Sequence, residues 1–100
     1  MDVIDRNLIA CYLLVKGTPG IAKSRLYFTE HGRDVVEWML SNEYIVQLGS
    51  GCYLGQKGED IGESWVAVAR DAGQEEDIAR LIGSIEDRYN KRLEKAKAKG

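Results

Sequence analysis

The amino-acid sequence predicts a mainly α-helical domain that carries one small β-hairpin. Five stretches set apolar residues at helical spacing, and one short stretch sets two β-like runs around Gly49-Ser50-Gly51. The composition agrees. With 100 residues, 44% hydrophobic and 30% charged, a single proline and no low-complexity tract, the chain suits one globular domain with a modest core. A disordered or collagen-like chain is excluded on the same grounds.

The first helix is expected from Asp2 to Lys16, where Ile4, Leu8, Cys11, Tyr12 and Val15 form a stripe that Leu13 and Leu14 widen. Gly17 ends it. Thr18-Pro19 offers a hydroxyl cap with proline at the first helical position, so a short second helix is expected to turn Ile21, Ala22, Leu26 and Tyr27 inward. Thr29-Glu30-His31-Gly32 reads as the connection. A third helix follows from Arg33 to Asn42, with Val35, Val36, Met39 and Leu40 inward and Trp38 at the edge. Tyr44 to Leu48 and Cys52 to Leu54 are the two arms of the hairpin. The fourth helix, Gln56 to Ala72, is expected to present Ile61, Trp65, Val68 and Ala72, and Gly73 is placed to stop it. The last runs from Gln74 to Lys97 with Ile78, Leu81, Ile82, Ile85, Tyr89 and Leu93 on one side.

Charge is divided unevenly: Met1–Asp87 carries a net −7 and Arg88–Gly100 a net +5. Glu75, Glu76 and Asp77 at the amide end of the last helix, and Lys91, Arg92, Lys95 and Lys97 toward its carbonyl end, are favoured by the helix dipole. The basic tail therefore reads either as a well-charged helix or as a handle for nucleic acid.

Other chemistry has little to work with. One histidine and two cysteines give no nucleophile–base pair, no zinc spacing and no disulfide scaffold, so no enzyme, no metal site and no cofactor are expected. Cys11 and Cys52 read as small buried hydrophobes, with an intersubunit disulfide as the rival. Neither a membrane span nor a signal peptide is expected, which with the low cysteine count points to the cytoplasm. Gly58 and Gly62 lack the context of a phosphate-binding loop and instead suggest a close backbone approach in the fourth helix.

One stretch is more specific. Tyr53-Leu54-Gly55-Gln56-Lys57-Gly58 resembles the Tyr-Leu-Thr-x-Lys-Gly sequence that closes the wing of winged-helix regulators and opens the next helix. Upstream, Val36-Glu37-Trp38-Met39-Leu40-Ser41-Asn42-Glu43-Tyr44-Ile45 is similar to the family's recognition helix running into the first wing strand. The match spans about Asn7 to Ser64. It departs from the pattern at Gly55, where the family has a capping threonine, and at Glu43, where it usually has glycine. The helix past Gly73 is similar to that of MarR-like regulators and of small winged-helix proteins of archaeal viruses, which dimerise through terminal helices. The resemblance implies an α-α-α-β-β-α-α winged helix over 1–73, with a C-terminal dimerisation helix and basic tail over 74–100.

The function so implied is sequence-specific binding of double-stranded DNA by a homodimeric, cytoplasmic transcriptional regulator, encoded by a virus or mobile element. His31, Arg33, Glu37 and Ser41 would face base edges in the major groove. Lys23, Ser24, Arg25, the wing tip at Ser50 and Lys57 would meet phosphates. Ile78, Leu81, Ile82, Ile85 and Tyr89 would form the dimer interface, setting two half-sites about 34–36 Å apart. Folding of that stripe back onto the first helix is the competing arrangement. Four carboxylates, on Glu30, Asp34, Glu37 and Glu43, oppose DNA at the reading surface and favour an alternative, a protein–protein interaction module on the same fold with a host protein as partner.

Overall fold

The computed structural model describes residues 3–28 and 32–99, which form five helices and a three-stranded antiparallel sheet. The order is α1 (Val3–Gly17), β1 (Ile21–Ala22), α2 (Lys23–Leu26), α3 (Gly32–Ser41), β2 (Ile45–Leu48), β3 (Gly51–Leu54), α4 (Gln56–Asp71) and α5 (Glu75–Lys99). α1 is the centre. Leu8, Ile9, Ala10, Cys11, Tyr12, Leu14 and Val15 are all buried, so this helix is enclosed nearly all round, by α3, α4, α5 and β3. A helix apolar on most of its circumference requires such an enclosure.

The sheet holds the first correction. Thr18-Pro19 does not cap a helix; it leads into β1, and the second helix shrinks to the four residues of α2. The backbone explains this. Gly20 N–H donates to the Cys52 carbonyl at 2.9 Å and Lys23 N–H to the Ser50 carbonyl at 3.2 Å, while Ile21 pairs with Cys52 and Ala22 with Gly51. Gly20 and Lys23 thus satisfy their N–H groups on the hairpin, while Ile21 N–H turns back to the Thr18 carbonyl at 3.0 Å. The strand order is β1-β3-β2, with Val46 opposite Tyr53 and Gln47 opposite Cys52. Gly51 belongs to β3, so the hairpin tip is only Gly49-Ser50.

Two helices also turn differently from expectation. α4 packs through Gly58, Gly62 and Ala69, with Trp65 and Val66 partly buried, while Ile61, Val68 and Ala72 face outward. The glycines decide that rotation. A Cβ on Gly58 would land on the Tyr44 carbonyl oxygen and one on Gly62 on the Tyr12 ring, so the close backbone approach is real and on both sides of one turn. α5 folds back along α1. Ile78 and Ile85, expected between two copies, are 4% and 0% exposed within a single chain, whereas Leu81, Ile82 and Tyr89 stay half-buried. Ile85 joins the cluster built on α1, and Ile78 packs with Ile9 and Ala69. Cys11 and Cys52 are both buried and free, which removes them from the surface an intersubunit disulfide needs. Burial pushes the Cys11 thiol up to about 12, with Cys52 close by adding to it.

Candidate functional site

α2 and α3, together with the β2–β3 hairpin, carry most of the residues expected to touch DNA. The turn is tight. Gly32 opens α3 at φ +22, and a Cβ there would strike the Tyr27 carbonyl oxygen, so only glycine lets α3 start this close to the end of α2. Past α3, Glu43 takes φ +61, the left-handed conformation that favours the glycine of the related pattern. Tyr44 then donates its N–H to the Met39 carbonyl and accepts from Gly55 N–H, joining the end of α3 to both strands of the hairpin.

Around the turn, side chains are paired. The Lys23 ammonium lies 3.1 Å from the Glu37 carboxylate, whose other donor is the Tyr27 hydroxyl at 3.2 Å. Tyr27 and Glu37 hold the Lys23 ammonium above its ordinary range, and Lys23 in turn holds the Glu37 carboxyl below its own. Arg25 bonds Glu86 of α5 and lies 5.2 Å from the Tyr89 ring centroid. It ties α2 to α5. Arg33 is exposed in the first turn of α3, its guanidinium 5.8 Å from the Tyr27 ring centroid. Ser24, Ser41 and Ser50 are exposed, on α2, at the end of α3 and at the hairpin tip respectively. Lys57 is exposed at the start of α4, 3.8 Å from the Glu43 carboxylate. His31 lies outside the described residues.

The structure therefore brings Lys23, Arg33 and Glu37 together around Tyr27 and lays Ser50 beside the start of α2. It does not free Lys23, Arg25 or Glu37 for a partner, because each already has one. Trp38, expected at the edge of α3, is 44% exposed, its ring 5.1 Å from that of Tyr44. Two features went unread in the sequence. Leu48 on the β2–β3 hairpin is 67% exposed. Ser24, Tyr27, Phe28, Tyr89, Arg92 and Leu93 line a cleft of about 540 Å³ between α2 and the end of α5. The i, i+3, i+4 run of Tyr89, Arg92 and Leu93 was the available signal. Among the described residues no group of three or more His, Cys, Asp or Glu side chains is placed to hold a metal, and no helix is long and apolar enough to cross a membrane. Comparison with protein-family models, with curated proteins and with solved structures gives no significant match.

Proposed function

We propose that the chain is a winged-helix protein that binds double-stranded DNA, with α3 in the major groove and the β2–β3 hairpin as its wing, and acts as a transcriptional regulator. The observation that supports this most is topological. β1 stands between α1 and α2 and pairs with β3, so the sheet fixes the hairpin beside a helix–turn–helix whose second helix carries Arg33, Glu37 and Ser41 outward. A helix so braced presents its first turns to base edges while its neighbours meet the backbone. Retention of duplexes from a random-sequence pool at low salt, with affinity falling as salt rises, is the expected result. Arg33→Ala should cost about 1–3 kcal/mol of binding. Failure to retain any duplex at low salt would overturn the reading.

A second reading, an interaction module for a protein partner, is favoured by a specific observation. Lys23 is engaged by Glu37 and Arg25 by Glu86, while Trp38 and Leu48 stand exposed on the same two elements that would meet DNA. Reversing Asp34 and Glu37 to lysine separates the two. It strengthens duplex binding under the first reading and abolishes capture of the partner under the second.

A further inference from the structure

The carbonyl end of α5 attracts cations through its own dipole, an effect of about 0.3–1 kcal/mol per charge that needs no partner. The fold does something that effect does not require: it brings this end of the helix to the α2–α3 turn. Phe28 meets Tyr89 edge-on with ring centroids 6.0 Å apart, and the Arg92 guanidinium lies 6.0 Å from the Phe28 centroid. Tyr27, against which Arg33 rests, lines the same cleft as Phe28, Tyr89 and Arg92. The groove is thus lined by residues 24–28 and the basic end of α5, and Arg33 at the start of α3 adjoins it through Tyr27.

Arg88, Arg92 and Lys95 recur at i, i+4 and i+7, a single stripe beside the face that carries the buried Ile85 and the half-buried Tyr89. Among the described residues none of these three, nor Arg33, lies within ion-pair distance of a carboxylate. α2 is the opposite case, its two cations held by Glu37 and Glu86. Phosphate contacts need cations that are not already neutralised.

We infer that the basic stripe of α5, in place of α2, grips the phosphate backbone of a duplex whose groove α3 enters. The inference rests on the DNA reading above and adds to it the element that supplies the electrostatic hold. Each phosphate neutralised adds about 0.9 to the slope of log affinity against log salt.

The test is anisotropy of the full chain on a labelled duplex across about 50–200 mM salt, with helix content checked by circular dichroism. Two variants carry it: Arg88→Gln/Arg92→Gln/Lys95→Gln, and Arg88→Gln/Lys95→Gln, which spares the Arg92 contact with Phe28. The first should flatten the slope by about 2–3 and the second by about 2, with roughly tenfold or greater loss near physiological salt, while Lys23→Gln leaves the slope unchanged. If both stripe variants keep the wild-type slope while Arg33→Ala still weakens binding, the inference falls and the DNA reading stands. If Lys23→Gln flattens the slope equally, α2 does the gripping and the inference falls. Displacement of the duplex by polyglutamate as readily as by unlabelled duplex marks a general polyanion surface and also overturns it. Should the wild-type chain bind no duplex at all, the DNA reading fails and the inference with it.

Discussion

At the scale of single residues, three glycines on helices make the sharpest contrast. Gly62 has no room, since a Cβ would occupy the Tyr12 ring, and Gly58 faces the Tyr44 carbonyl in the same way. Gly83, on α5, has nothing within 4 Å of a Cβ. Gly62→Ala should therefore destabilise the fold by about 1–3 kcal/mol or more, because the clash is with a buried ring that cannot move away. Gly83→Ala should stabilise it by about 0.5–1 kcal/mol through helix propensity alone. Urea denaturation midpoints measure both; equal signs for the two would contradict the packing described. The spacing of Gly58 and Gly62 was readable in the sequence as a close approach, but not which backbone or ring approaches, because that depends on how α1 and the α3–β2 link are placed. Glu43 is a similar case. Its departure from glycine was visible, whereas its positive φ emerges only when Tyr44 must join α3 to both strands of the hairpin.

At the scale of elements, α1, α3, the hairpin and α5 were legible because each carries enough residues for its period to show. β1 was not. Two residues have no period, and Ile21-Ala22 after Thr18-Pro19 satisfies helix-start chemistry as well as strand pairing. Only the unpaired edge of β3 decides between them. The face of α4 was misjudged for a related reason: hydrophobicity favoured Ile61 and Val68, but the two glycines allow the nearest approach and so set the rotation. A polar contact at the surface adds to the apolar packing of α4 on α1. The Tyr12 hydroxyl donates to Glu63 at 2.9 Å and the Lys16 ammonium lies 2.6 Å from the same carboxylate, whose pKa the two partners lower, Lys16 most. Glu37 is lowered in the same sense by Lys23. A carboxyl with its folded value below its unfolded one takes up its proton first in the unfolded chain. The stability it contributes is present above the ordinary value of 4.5 and drains away as pH falls through the folded value. Thermal midpoints should hold steady above that value and decline below it. Glu63→Gln and Glu37→Gln should each flatten the decline; an unchanged acid limb in both variants would show that these pairs are not held in solution.

At the scale of the whole molecule, the question is how many chains act together. The apolar stripe of the last helix was read in the sequence as surplus to one small core, a judgement that undercounted what α1 could accept. An α1 buried on nearly every side takes Ile85 directly, and with Ala69 it takes Ile78 through Ile9, so the surplus is spent inside one chain. A stable interface covers about 800 Å² per partner, roughly an eighth of the 6113 Å² that this chain exposes. Among the described residues the large exposed apolar side chains are Val46, Leu48 and Tyr53 on one face of the β2–β3 hairpin, Trp38 on α3, Ile61 and Val68 on α4 and Leu93 near the end of α5. The three clustered side chains sit on one short hairpin and fall short of such an interface. The free chain should therefore sediment as an 11.2 kDa monomer at micromolar concentration. Pairing, if a palindromic duplex demands it, should appear only once DNA is added, with two chains per duplex bringing Leu81 and Ile82 into contact. Sedimentation velocity with and without duplex reads both states. A species of twice the mass in the absence of DNA would mean that α5 pairs on its own, and that the half-buried Leu81, Ile82 and Tyr89 suffice where Ile78 and Ile85 are withdrawn.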